Sequence, residues 1–166
     1  MSIVVKTDFK GEYNVAKTCY DQLDTFIEKY EKKYLRKLLG AELYTLFNND
    51  LTTDTPQVPQ IQRFKDIFNE FSIDDHDCLY CSDGIRKMLV QLIYFHYVVE
   101  LQTENTAGGT VMNSVELGVN AAYKNNLVIA YNEGITNAKN IQWYIWDNEL
   151  EYPKENMQPF EYTSGI

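Results

Sequence analysis

The side chains best suited to metal or redox chemistry lie close together between residues 76 and 81. His76, Cys78 and Cys81 belong to the residue types that bind zinc, and their spacing allows all three to reach one ion. A fourth ligand is not evident, although Cys19 or His96 could supply one. The sequence also lacks the two-sided ligand spacing of a zinc finger and the strand–helix setting of a thioredoxin-like motif. We therefore interpret the segment as a solvated acidic loop, with a metal- or redox-linked protein as the alternative.

Other patterns with chemical potential are incomplete. The aspartates around this segment do not follow the EF-hand order of ligands; they are Asp74, Asp75, Asp77 and Asp83. His96 shares a helix face with apolar residues, which predicts a hydrogen-bonded core histidine rather than a catalytic base. The Gly108-Gly109 segment lacks the lysine of a phosphate-binding loop. We recognise no catalytic motif and predict a protein without enzymatic activity, bound metal or cofactor.

Length and charge limit the possible classes of protein. A chain of 166 residues can bury one sizeable core. Its 24 acidic and 15 basic residues give a net charge of −9, which disfavours unspecific binding to nucleic acid. An odd number of cysteines, three, predicts free thiols in a reducing compartment. The start of the chain does not resemble a secretory signal, and the longest uncharged stretch, residues 88–99, is too short to span a membrane.

Hydrophobic periodicity predicts an all-α fold, a small bundle of four to five helices. The predicted helices are residues 22–39, residues 41–47, a third helix whose first turn contains Pro59, residues 84–103 and residues 121–146. Gly40 is expected to end the first helix in a left-handed conformation. The organisation expected from these patterns is an N-terminal arm over residues 1–20, a helical domain over residues 21–148 and an extended tail over residues 149–166. Residues 72–83 are predicted to be a loop, and residues 104–113 a mobile loop or short hairpin.

The aromatic content is high, with 13 Tyr, 8 Phe and 2 Trp. On the last helix Ile129 and Trp143 lie away from the apolar stripe that would face the core. The tail also keeps several aromatic side chains, which either reach a neighbouring protein or fold back on their own domain. The candidate residues for an oligomer or partner interface are Thr110, Val111, Met112, Ile129, Trp143, Tyr152, Phe160 and Tyr162.

Three segments of the sequence share their order with a known family. They are Asp8-Phe-Lys-Gly-Glu-Tyr13, then Ile27-Glu-Lys-Tyr-Glu-Lys-Lys-Tyr-Leu-Arg-Lys-Leu-Leu-Gly40 with Glu42-Leu-Tyr44, and Tyr94-Phe-His-Tyr97. This order resembles the head–tail adaptor, or ring, proteins of tailed bacteriophages, including the crAss-like phages. The resemblance covers most of residues 8–147 and rests on hydrophobic patterns around a Leu-Leu-Gly helix end. The tail matches no pattern of the family.

The resemblance implies a structural protein of the virion, made in the cytoplasm of the bacterial host. Its expected partners are the portal protein, further copies of the chain in a ring that commonly has twelve members, and the next tail or ring component. DNA would pass through the ring without sequence-specific binding, and an acidic lumen would repel it. No membrane is involved. A monomeric helical binding module is the further alternative.

Overall fold

The computed structural model describes residues 2–14, 20–75, 78–106, 109–112, 120–153 and 157–163. The chain is mostly helical, which confirms the predicted fold class. The elements in the described residues are α1 (Tyr20–Asp50), α2 (Gln62–Phe68), β1 (Phe71–Asp75), β2 (Cys78–Ser82), α3 (Gly84–Gln102), β3 (Thr103–Thr106), β4 (Gly109–Met112) and α4 (Asn120–Asp147). None of these helices combines the length and the apolar character needed to cross a membrane.

Helix α1 consists of two helical segments that meet at Gly40. The backbone of Gly40 has a φ of 72° and a ψ of 175°, so it leaves the helical region there. The positive φ agrees with the prediction, and the predicted end of the first segment is confirmed. The ψ of 175° differs from that of the left-handed helical cap expected there, because the chain turns into an extended conformation before the second segment starts. The predicted apolar stripe of the first segment is buried, from Leu23 through Tyr34 to Leu38.

Helix α2 begins later than predicted. Pro59 is not in its first turn but pairs with Leu51 in an isolated antiparallel bridge. The Asp50 carboxylate accepts hydrogen bonds from the backbone N–H groups of Gln60, at 2.8 Å, and Ile61, at 3.1 Å. These bonds hold the connection in an extended form, so the helix starts only at Gln62.

The prediction of a loop over residues 72–83 is wrong, because strands β1 and β2 form an antiparallel hairpin there. Its register pairs Phe71 with Ser82 and Ile73 with Tyr80. The ring of Phe71 packs 5.0 Å from that of Tyr144 on α4. Asn140, also on α4, donates a hydrogen bond of 2.6 Å to the carbonyl of Cys81. Packing against α4 therefore stabilises the hairpin. The aspartates of this segment favoured the interpretation as a solvated loop.

Helices α3 and α4 form the centre of the fold. Residues along α3 such as Ile85, Leu89 and Leu92 are fully buried. A Cβ placed on Gly134 of α4 would lie 2.9 Å from the side chain of Leu92, so the small residue allows the two helices to approach closely. Strands β3 and β4 form a second hairpin directly after α3, the short hairpin that was one of the two forms predicted for this region.

The N-terminal arm is irregular, as predicted, but it is also part of the core. It contains two short 3₁₀ turns, and Phe9 and Tyr13 are buried. The Asp8 carboxylate accepts hydrogen bonds from both Nε and an Nη of Arg86 on α3, at 2.8 to 3.1 Å. Charge-assisted pairs of this kind fix orientation as well as distance.

The described part of the tail folds back on its own domain. Tyr152 and Phe160 are only 1% and 3% exposed. The backbone N–H of Gln158 donates to the carbonyl of Lys37 on α1, at 3.0 Å, and the hydroxyl of Tyr152 donates to the carbonyl of Arg63. Tyr152 and Phe160 are therefore core residues, which corrects their prediction as interface residues. Aromatic content alone could not distinguish these two roles.

Candidate interaction surface

The carboxyl end of α4 carries large apolar side chains that face solvent. Trp143 is 49% exposed and Trp146 56%, and Leu150, in the turn that follows, is 99% exposed. We call these three residues the aromatic face. Ile129, which is 53% exposed, lies further back along the outer side of the same helix. A folded protein tolerates scattered exposed apolar residues, but two tryptophans and a leucine within eight residues are typical of an interaction site.

Neighbouring rings hold the two tryptophans in place. Trp143 stacks on Tyr80 of the β1–β2 hairpin with ring centroids 6.1 Å apart, and its ring meets that of Trp146 edge to face at 6.2 Å. A groove of about 390 Å³ separates the tryptophans from the tail, where Met157 and Pro159 line the opposite wall. Contacts within the chain therefore restrict the two tryptophan rings before a partner binds, which lowers the entropy cost of binding.

Three exposed carboxylates surround the tip of this surface. Asp147 ends α4, and Glu149 and Glu151 follow on either side of Leu150. We call them the acidic rim. The carboxyl end of a helix also carries a partial negative charge. An apolar surface with a negative edge favours a partner that presents cations beside apolar groups.

The other predicted interface residues are distributed over the molecule. Tyr162 is exposed, and the ammonium of Lys139 lies 3.8 Å from the centre of its ring. Thr110, Val111 and Met112 lie on β4, in a part of the chain whose backbone alone is described. Trp146 and Leu150 were missed, although the spacing of Trp146 three residues after Trp143 places both on one side of a helix.

In comparisons with known proteins, no family model, no curated protein and no solved structure matches the chain.

His96 is hydrogen-bonded, as predicted, and half-buried. Its Nε2 lies 2.5 Å from the hydroxyl of Tyr34, and its ring stacks on that of Tyr30 at 4.1 Å. The pKa of His96 is lowered from 6.5 to about 4. Burial is the largest cause, the cations of Lys33 and Lys29 act in the same direction, and the carboxylate of Glu100 opposes them. A neutral ring with its proton on Nδ1 can accept a hydrogen bond from the Tyr34 hydroxyl at Nε2. This pair therefore acts as a structural link between α1 and α3.

The shifted pKa of His96 predicts a pH dependence of stability. Because the folded state holds the proton less tightly than the unfolded state, stability should be fully present above about pH 6.5 and lost progressively as the pH falls toward about 4. Urea unfolding at pH 7 and pH 5 measures the loss. His96→Gln should lose less than the wild type over this interval, since both share the titration of the carboxylates. Equal losses would contradict the assignment.

A buried polar network joins the N-terminal arm to the two central helices. Gln91 and Asn137 are 2% and 6% exposed, and Asn137 Nδ2 donates to Gln91 Oε1 at 2.9 Å. Gln91 Nε2 in turn donates to the Tyr13 hydroxyl and to Glu133 Oε2, both at 3.2 Å. Burial raises the pKa of Tyr13, which remains a hydrogen-bond donor to Glu133. Because every member has a partner, the network stabilises the position of the arm.

The cysteine cluster lies in a strand rather than in a loop. Cys78 and Cys81 are on β2, the side chain of Cys81 is exposed, and His76 lies outside the described residues. Across the part of the chain that the structure describes, no group of three His, Cys, Asp or Glu side chains is placed to hold a metal ion.

Elemental analysis tests the metal alternative directly. We expect purified protein to contain far less than one zinc ion per chain, because His76, Cys78 and Cys81 supply three ligands and structural zinc sites use four. Cys81→Ser should leave the metal content and the unfolding midpoint unchanged. Stoichiometric zinc that this substitution removes would favour the alternative.

Proposed function

We propose that this chain is a structural virion protein, a head–tail adaptor that forms a ring with copies of itself, docks on the portal protein and extends the DNA channel toward the tail. Its work is assembly, without catalysis or a cofactor. The proposal takes its specific identity from the resemblance of residues 8–13, 27–44 and 94–97 to adaptor proteins. The observation that carries it is the aromatic face.

The aromatic face supports an assembly role because exposing these apolar side chains to water is unfavourable in the isolated chain. Trp143, Trp146 and Leu150 keep roughly half or more of their surface in contact with water. Removing apolar surface from water gains about 25 cal/mol per Å², and tryptophans are frequent energetic centres of protein interfaces. A partner that covers this surface would gain a large part of its affinity there.

Charge supports the role of a conduit. The net charge of −9 gives each copy an excess of carboxylates, and a ring of such copies multiplies that charge. An acidic wall repels the phosphates of DNA and lets the duplex pass without sticking. We therefore expect carboxylates to line the channel wall of the assembled ring.

Mass photometry of the chain with and without the portal protein of the same phage tests the proposal. We expect a complex whose mass corresponds to one portal ring and about one chain per portal subunit. The chain alone is a control for self-association, and an unrelated portal is a control for specificity. Failure to bind the matching portal at micromolar concentrations would contradict the proposal and favour a monomeric helical binding module.

A further inference from the structure

The outer side of α1 carries a concentration of positive charge that an acidic chain does not require for solubility. Five of the chain's 15 basic residues fall between residues 29 and 37: Lys29, Lys32, Lys33, Arg36 and Lys37. We call them the basic stripe. At about 100° per residue, Lys29, Lys33 and Arg36 point within roughly 60° of one another, on the side of the helix away from its buried residues. The first four are exposed and Lys37 is half-buried.

Aromatic rings beneath the stripe hold its cations in a fixed array. The distances from cation to ring centre are 4.7 Å for Lys29 over Tyr30, 5.3 Å for Lys33 over Tyr30, 5.3 Å for Arg36 over Tyr44 and 4.7 Å for Lys37 over Phe160. Cation–π contacts of this kind restrict the long side chains while leaving their charged ends in water. Lys29 is already paired with Glu100, at 3.1 Å. An anionic partner would therefore meet the other cations of the stripe as a preformed set, at a reduced cost in side-chain entropy.

The same chain carries a complementary surface. The aromatic face presents tryptophan rings, which are the best acceptors of cation–π contacts, and the acidic rim adds the carboxylates of Asp147, Glu149 and Glu151. Several other carboxylates are already engaged within the fold. Asp8 pairs with Arg86 on α3, and Glu31 accepts hydrogen bonds from the backbone at residues 3 and 4. The acidic rim and the aromatic face lie together at the carboxyl end of α4, and their charge and chemistry complement the basic stripe.

We propose that the basic stripe of one copy binds the aromatic face and acidic rim of the next copy. The proposal rests on the proposed function and names the contact that would build its ring. A contact between two different surfaces of the same chain is heterologous, and repetition of such a contact closes a ring when the rotation between copies allows it. The contact also neutralises the stripe, so the remaining surface of the ring is more acidic than that of the free chain.

Two charge-reversal variants test the pairing. Each variant alone should self-associate weakly, and a mixture of the two should associate. Lys33→Glu with Arg36→Glu makes both surfaces of a copy acidic, and Asp147→Lys with Glu151→Lys makes both basic. We expect each variant to self-associate at least about tenfold more weakly than the wild type in sedimentation velocity at low salt, because like charges would face each other. An equimolar mixture of the two variants should recover the wild-type association.

The matched control is Lys10→Glu with Lys65→Glu, which has the same net charge as the first variant and should self-associate like the wild type. Variants that self-associate normally, or a mixture no stronger than its components, would overturn the pairing. A loss of affinity for duplex DNA in the Lys33→Glu, Arg36→Glu variant, without a change in self-association, would instead assign the stripe to phosphate contacts and also overturn it.

Zero-length carbodiimide cross-linking of an equal mixture of ¹⁴N-labelled and ¹⁵N-labelled chains locates the contact. We expect mixed-isotope peptides that join a lysine of the basic stripe to a carboxylate of the acidic rim. Intermolecular cross-links elsewhere, or none at millimolar concentration, would overturn the pairing. If the pairing fails but the chain still binds the portal, only the proposed contact is wrong. If the chain also binds no portal, the proposed function is wrong as well.

Discussion

Replacing Trp143 and Trp146 together by serine is expected to weaken assembly of the chain by at least about 100-fold, since interface tryptophans typically contribute about 2 kcal/mol or more each. Both rings are about half exposed in the isolated chain. The fold should survive the loss of their contacts with each other and with Tyr80, at a cost of about 2 kcal/mol in the free energy of unfolding. Mass photometry with the portal measures assembly, and urea unfolding measures stability.

Leu150→Glu separates an effect on the interface from an effect on the fold. Because Leu150 is 99% exposed, the change should leave the free energy of unfolding within about 0.5 kcal/mol of the wild type and still weaken assembly. The matched control is Leu46→Ser with Ile61→Ser, which removes apolar side chains that are 39% and 43% exposed outside the aromatic face. If the tryptophan and control variants assemble equally well, the aromatic face is not an interface.

Gly84→Ala is expected to destabilise the fold by about 3 kcal/mol or more. Gly84 has a φ of 83°, and a Cβ added there would lie 2.2 Å from the carbonyl oxygen of Phe68 and 2.7 Å from the carbonyl carbon of Asn69. Both atoms belong to the backbone at the end of α2, so neither can move away as a flexible side chain would. The left-handed conformation costs a residue with a Cβ roughly 1–2 kcal/mol, and overpacking adds a similar amount.

Gly11→Ala provides the comparison for this substitution. Gly11 also has a positive φ, 65°, but no atom lies within 4 Å of its added Cβ. Gly11→Ala should lower the free energy of unfolding only by the cost of the left-handed backbone conformation, about 1 kcal/mol. Urea unfolding of both variants gives the difference. Similar losses of stability in the two variants would show that the end of α2 can move away from Gly84 and make room for the added Cβ.

The helices could be predicted because their determinants are local. The apolar stripe of α1 and the glycine that ends its first segment are both visible in the sequence, and Gly40 has the expected positive φ. The outward position of Trp143 also followed from helical geometry alone, because the residue lies off the apolar stripe of α4.

The hairpin and the tail depended on contacts that no local pattern contains. The β1–β2 segment carries aspartates around its turn, which suggested a solvated loop. Its strands are supported by α4, which lies about 60 residues away in the sequence. The burial of Tyr152 and Phe160 depends on surfaces offered by α1, α2 and α4. The rings of the basic stripe likewise come from several segments, including Phe160 of the tail. Sequence spacing therefore identified the helices but not the surfaces that they build together.

Electron cryomicroscopy of tailed-phage particles assembled with this chain tests the proposed adaptor role. We expect a ring of copies of this helical domain between the portal and the tail, with the aromatic face covered by a neighbouring protein and DNA passing through the centre. Particles that lack the chain, or that hold it away from the connector, would contradict the claim.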